Sequence, residues 1–333
     1  MDDTPVVLSP KQIRQSKPVQ RGCLFVGTDG RPLVFDRDYA MLFGERGRGK
    51  TLFALGLAMG LAGGVEFGGF VPPASRRVLF VDGEMTLSDM DDRIRRMMAG
   101  FPKGCQDAIE QNLRVLSWES QALGIPTLSE EPGREFVDKA IAEFDPALVF
   151  LDNISCLAGD IPESGPGAET AWHPLGKWGV GHRTKRTVVW VHHAGRNGSA
   201  RGISKREDPL NWVLKLRTAG NQTKGAYFTL EYAKLRGRPQ AAPWSILIAD
   251  NREKGALEWS IRSGVAAIED RMTDKIGRAL DFAKASLKAA PTKTGRRAYI
   301  RDGFREAFNG EGLATALIDR AIEQALEAEE QEG

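Results

Sequence analysis

Three cysteines in 333 residues, Cys23, Cys105 and Cys156, stand too far apart to form a C-x-x-C pair. That excludes a disulfide framework and a cysteine-built zinc site, and it suits a reducing compartment. No window approaches the roughly 18 consecutive apolar residues that a membrane-crossing helix needs. The first stretch of the chain is polar and carries no signal-type apolar run. An excess of one charge is missing too, since 46 Lys and Arg stand against 44 Asp and Glu, a formal net charge of +2. Such a chain has no strong global field toward nucleic acid or membrane, so any affinity of that kind is local. No internal repeat is visible. The expectation is a soluble, cytoplasmic protein without membrane contact, holding one large domain or two of ordinary size, with 41% hydrophobic residues to fill a core.

What the chain does contain is alternation. Residues 1–37 are rich in Pro, Lys and Gln and include a hairpin signal, "CLFVGTDGRPLVF", which reads as an N-terminal arm. From 38 to 263, apolar strand-like runs ("YAMLF", "RRVLFVD", "LRVLSW", "ALVFLD", "TVVWVHH") alternate with helical stretches. That order predicts an α/β core with a mostly parallel sheet covered on both faces. The later runs "NWVLKLR", "AYFTLEYAKLRG", "WSILIAD" and "ALEWSI" follow one another closely, which predicts antiparallel strands added to one edge. Residues 264–333 are helix formers and form a small C-terminal appendage. Residues 264–310 hold ten Lys/Arg against six Asp/Glu, a balance of +4, whereas 311–333 hold one against seven, a balance of −6. A turn at "NGEG" between two of these helices is helix-turn-helix-like, but the acidic second helix argues against its reading DNA.

At Gly44–Thr51 the chain reads "GERGRGKT", matching G-x-x-x-x-G-K-[ST] at every fixed position. In that pattern Gly44, Glu45, Arg46, Gly47, Arg48 and Gly49 curl their amides around phosphates. Lys50 reaches the β- and γ-phosphates, and the Thr51 hydroxyl ligates Mg²⁺. The apolar run before it reads as a buried strand and "LFALGLAMGLA" after it as a buried helix, whose dipole favours an anion at its start. ATP and Mg²⁺ are the implied ligands. "ALVFLDN" delivers Asp152 at the end of another buried strand, where open α/β sheets bind ligands and where a carboxylate holds Mg²⁺. Asn153 follows it, so the adjacent Glu that many ATP-driven motors use is missing. A base then comes from elsewhere: "RRVLFVDGEM" offers Glu84, with Asp82 its rival, unless Glu84 caps the next helix. "TVVWVHH" ends in His192 and His193 at the same edge, where one of them can report on the γ-phosphate. A metal pair is excluded there, because adjacent strand residues point to opposite faces.

Taken together, "GERGRGKT", "VLFVDGEM", "VFLDN", "VHHAGRNGSARGIS" and "YAKLRGRP", spread over roughly Tyr39 to Asp250, resemble a RecA-like P-loop ATPase of the plasmid RepA and DnaB-like hexameric replicative helicase family. The resemblance implies ATP bound between subunits of a homo-oligomeric ring. In that arrangement Glu84 is the catalytic base, His192 or His193 the γ-phosphate sensor, and Lys234 and Arg236 a Lys-x-Arg pair reaching the neighbour's ATP. In such a ring the basic segment after His193 faces the central channel, which makes Arg196, Arg201, Lys205 and Arg206 candidates for gripping single-stranded DNA. The implied function is an ATP-dependent DNA helicase or translocase of plasmid or phage replication, with replication proteins among its partners. A DNA-dependent ATPase switch or recombination mediator shares every ATP residue, and a small-molecule kinase shares the phosphate loop. The chain departs from the family in having no recognisable DnaB-type N-terminal domain and no helicase motif in its C-terminal helices.

Overall fold

Tyr39–Gly44 is apolar throughout because both faces of this strand are covered: Ala40 and Leu42 join one hydrophobic cluster, Tyr39, Met41 and Phe43 the other. The computed structural model describes residues 5–16, 21–162, 167–194, 206–218, 226–239, 241–263, 277, 279–289, 296–307 and 315–332. A short helix α1 (Pro10–Gln15) precedes β1 (Cys23–Gly27), β2 (Pro32–Phe35) and β3 (Tyr39–Gly44). There follow α2 (Lys50–Gly63), β4 (Phe70–Val71), β5 (Val78–Asp82), α3 (Leu87–Gly100), α4 (Lys103–Asn112) and β6 (Leu113–Ser117). The second half of the parallel core comprises α5 (Glu131–Phe144), β7 (Leu148–Asp152), α6 (Ile154–Leu157), α7 (Ala168–Gly181) and β8 (Thr187–His193). Strands β9 (Trp212–Thr218), β10 (Ala226–Leu235), β11 (Trp244–Asn251) and β12 (Ala256–Ser263) complete a nine-stranded sheet in the order β12-β11-β10-β9-β3-β8-β7-β5-β6.

The α/β architecture expected from the alternation is present, with two differences at its margins. β9, expected among the antiparallel strands, pairs parallel to β3, with Ala40 opposite Trp212 and Gly44 opposite Leu216. The long connection from β8 lets the chain return to the sheet's starting edge, and only β10, β11 and β12 run antiparallel. The hairpin of β1 and β2, read in the sequence as part of an arm leading into the core, packs on the body. With β4 it forms a three-stranded sheet that buries Leu24, Phe25, Leu33 and Val34 in the main cluster. Apolar side chains of this size gain roughly 1.5–3 kcal/mol each on burial, which explains why the segment folds onto the body.

Helix α2 is buried on nearly all sides, which explains its uniformly small and apolar sequence. The sheet curls around it: α3 follows β5 near one edge, yet Phe101 at its end packs in a tilted contact against Trp259 of β12 at the other edge, ring centroids 4.5 Å apart. Inside this wrap Gly56 gives way to Phe67, whose ring carbon would stand 2.1 Å from a Cβ at position 56. Gly56→Ala is therefore expected to cost about 1–3 kcal/mol by overpacking. An exposed helical glycine would gain instead about 1 kcal/mol on the same change. A raised melting temperature for Gly56→Ala would show that Phe67 yields freely.

The opposite face of the sheet is covered by α5, α6 and α7, through Val137, Ile141, Ile154, Trp172 and Leu175. At the C-terminus a helix over 279–289 (α8), α9 (Arg296–Ala307) and α10 (Thr315–Glu332) share a third cluster that includes Ala283, Leu287, Ile300, Phe304 and Ile322. The turn expected at "NGEG" lies outside the described residues. Among the described residues no helix is long and apolar enough to cross a membrane.

Candidate active site

Parallel pairing brings the C-terminal ends of β3, β8, β7 and β5 to one edge, where Gly44 stands opposite His193 and Asp82 opposite Asp152. The phosphate loop begins there. Gly49 has φ 88°, and a Cβ on it would come within 2.8 Å of the Ala226 Cβ, so conformation and space both require glycine. Helix α2 starts at Lys50 without a side-chain cap, its N-cap being Gly49. Its leading amides are thus left to an anion lying in the loop. Lys50 is buried, and its Nζ donates to the Glu45 carbonyl at 2.6 Å. Glu45 and Arg48 pair on the exposed outer side of the loop at 3.4 Å.

Asp152 is buried, and its Oδ2 has no hydrogen-bond partner among the described residues; the Thr51 hydroxyl lies near enough to hold its carboxyl down. A buried carboxylate oxygen without a partner beside a hydroxyl fits a divalent cation. No group of three or more His, Cys, Asp and Glu among the described residues is placed to cage a metal. Mg²⁺ keeps several waters and takes phosphate oxygens as ligands, so it needs few protein groups. Thr51 and Asp152 are the residues that would hold such an ion, which would supply positive charge beside the phosphates.

Electrostatics within this edge are tense. Burial pushes the Asp152 carboxyl up to about 7, with Asp82 and Glu84 adding to the rise and the Thr51 hydrogen bond and Lys50 opposing it. Burial brings Lys50 down to about 8 against the pull of Asp152 and Glu84. Nucleotide and metal capture requires an ionised Asp152, favoured above about 7, and a protonated Lys50, favoured below about 8. The kcat/KM for ATP is accordingly expected to be bell-shaped in pH, with its maximum between these values, because that parameter reports groups of the free enzyme. Asp152→Asn should remove the acidic limb; a profile flat from pH 6 to 9 would show that these groups do not limit capture.

Glu84 is exposed and lines the cavity in front of the phosphate loop, and the Asn153 side-chain amide donates to its carboxylate. Asn153 is itself buried and fixed from the other side, its Oδ1 accepting from Cys156 N at 3.1 Å. In the sequence Asn153 signalled only a missing Glu; the fold makes it the residue that orients Glu84. Asp82, the rival, is buried and accepts from the Met85 amide at 3.2 Å, so it organises the turn. Nor does Glu84 cap α3, because Thr86 does, accepting from Asp89 N at 3.0 Å. His193 lines the cavity, whereas His192 is 1% exposed.

This cavity of about 640 Å³ runs on from the loop to α3 and the antiparallel strands. Asp89, Asp92, Arg93 and Arg96 line it from one face of α3, since positions i, i+3, i+4 and i+7 align on a helix. Arg96 pairs with Asp250 of β11 and with Asp92 at 3.4 Å. Arg93 makes no ion pair among the described residues, which leaves a cation facing the cavity. The sequence reading missed this face, although its spacing after Glu84 was visible.

Lys234 and Arg236 stand elsewhere. β10 runs antiparallel to β9, so its end lies at the start of β3, and Arg236 N donates to the Asn211 carbonyl level with Tyr39. That is five residues, or roughly 16 Å, below Gly44 along the strand. Lys234 Nζ and Arg236 Nη2 donate to the Asp208 carbonyl at 3.1 and 2.8 Å. Of the four basic candidates for DNA contact, Arg196, Arg201 and Lys205 lie outside the described residues. The fourth requires a correction. Arg206 is 2% exposed, its guanidinium 4.7 Å over Trp172 and bonded to the Pro162 carbonyl at 3.1 Å. Stacking and burial hold it away from a phosphate backbone.

The AAA_25 family model, described as an AAA domain, matches residues 31–199, which span the phosphate loop, Glu84, Asp152 and both histidines. The chain belongs to this family. Its AAA domain is a P-loop ATPase with the fold also seen in a KaiC-like protein from the hyperthermophilic archaeon Pyrococcus horikoshii OT3. The two share a TM-score of 0.50 and 14% identity over 73% of this chain and 100% of that one. At that identity the likeness is one of fold. No curated protein matches the sequence of this AAA domain.

Proposed function

We propose that this AAA domain is the motor of an ATP-dependent DNA helicase or translocase of plasmid or phage replication, hydrolysing ATP where subunits of a homo-oligomeric ring, a hexamer, meet. One observation carries the reading. The cavity gathers the phosphate loop, Glu84, Asp152 and His193, while the strand-end cations Lys234 and Arg236 sit at the opposite sheet edge, out of its reach. They meet a nucleotide only if a second copy docks its nucleotide edge against them. Repeated contacts of this kind close into a ring when the rotation allows.

In this reading Lys50 and the α2 amides hold the phosphates, and Glu84, oriented by Asn153, aligns water and takes its proton. His193 senses the γ-phosphate, and the neighbour's Arg236 offsets charge developing on the transferred group. Arg196, Arg201 and Lys205 remain candidates for gripping single-stranded DNA, and replication proteins candidate partners. The deciding measurement is ATP turnover with and without single-stranded DNA, on protein whose mass in solution is determined in the same buffer. Stimulation by DNA in a hexamer-sized species is the expected result, and an unwinding assay then separates a helicase from an ATPase switch. Turnover by a monomer indifferent to DNA would sink the proposal.

A further inference from the structure

We infer that Arg238, held on buried Asp38, is the positioning residue that sets the reach of Arg236 toward a neighbouring copy's nucleotide; the inference rests on the trans reading above. Asp38 is 0% exposed and accepts from Arg238 Nη2 at 2.8 and 2.6 Å, from Phe35 N at 3.0 Å and from Arg21. The Arg238 guanidinium lies 4.7 Å over the Phe35 ring and also donates to the Leu33 carbonyl at 2.6 Å. A buried, charge-assisted guanidinium so stacked and bonded has no freedom to swing. Only Gly237, with φ 69°, separates it from Arg236.

Arg236 is pinned from its other side as well. Its amide donates to the Asn211 carbonyl at 2.8 Å, and Asn211 exchanges bonds of 2.9 and 2.7 Å with Tyr39. Both anchors therefore tie the end of β10 to the start of β3, the strand that leads into the phosphate loop. A register shift between Tyr232 and Lys234 re-aims the last residues of β10, as bulges do.

The tips behave differently from the base. Lys234 and Arg236 donate to main-chain carbonyls of Glu207 and Asp208 and form no ion pair among the described residues. Leaving a carbonyl for a phosphate costs less than leaving a carboxylate, because hydrogen bonds between charged partners are the stronger ones. The arrangement is a rigid base with releasable cationic tips, which is what positioning a charge against a reacting group demands. Arg21 also pairs with Asp38, so the carboxylate has a second cation beside it in Arg238→Ala.

The test uses full-length Arg238→Ala and Arg236→Ala, each alone and each mixed with Lys50→Ala, which lacks its own phosphate anchor but carries an intact strand end. Arg238→Ala alone is expected to lose about 10²-fold in turnover, the scale of a small misplacement. Its affinity for a fluorescent ADP analogue should stay unchanged. Mixing with Lys50→Ala should restore turnover to the level that the Arg236→Ala mixture reaches. Arg238→Lys, which keeps the charge but cannot bond Asp38 and the Leu33 carbonyl from two separate nitrogens, should lose less, and it serves as the test if the alanine variant does not fold. Wild-type turnover in Arg238→Ala beside an inactive Arg236→Ala overturns the clamp alone. So does a loss in Arg238→Ala that Lys50→Ala does not restore while it restores Arg236→Ala. Wild-type turnover in Arg236→Ala overturns the trans reading and the clamp with it.

Discussion

ATP turnover by assembled Arg236→Ala protein is expected to fall about 10³–10⁵-fold, the range that a trans-acting arginine contributes to phosphoryl transfer. Binding should survive. The phosphate loop, Lys50 and Asp152 all belong to the same copy and lie at the other end of the sheet from Arg236. The loss should therefore appear in kcat, with nucleotide affinity and melting temperature unchanged. The side chain is exposed at a strand end and, among the described residues, holds only the Asp208 carbonyl, so its truncation leaves no buried group there unsatisfied. Steady-state kinetics together with equilibrium titration of a fluorescent nucleotide decide the matter. Turnover within a few-fold of wild type would place the charge-stabilising cation elsewhere. Arg93, which faces the cavity of its own copy, would then be the next candidate.

Glu84→Gln should lower turnover by about 10²–10⁴-fold, the contribution of a positioned general base. The substitution isolates charge from shape: glutamine keeps the length of the side chain and can still accept from the Asn153 amide, but it cannot take a proton. Nucleotide affinity should be retained or rise slightly, because a negative charge near the phosphates is removed. Stable trapping of unhydrolysed ATP on Glu84→Gln, followed by filter binding or mass spectrometry, provides the check. Hydrolysis at the wild-type rate would remove Glu84 from the mechanism. Asp82 could not replace it, since both its oxygens serve the Met85 amide.

Much of this was legible along the chain, and what was legible is local. "GERGRGKT" specifies its loop because eight consecutive residues carry the turn, the anchor and the helix start, so no distant contact is needed to recognise it. Leu148–Asp152 announced a buried strand with a carboxylate at its end, and alternating apolar runs announced the sheet, because periodicity is set by neighbours in sequence. Tertiary structure alone decided the rest. Strand order and register put Lys234 and Arg236 at the far edge, made β9 parallel, and brought Asn153 to Glu84 across 69 positions. The same packing turned His193 to the cavity and laid Arg206 on Trp172. A side chain's type fixes what it can bond. Which group it meets depends on the pairing of strands far apart in the chain, where a shift of one residue reverses every face.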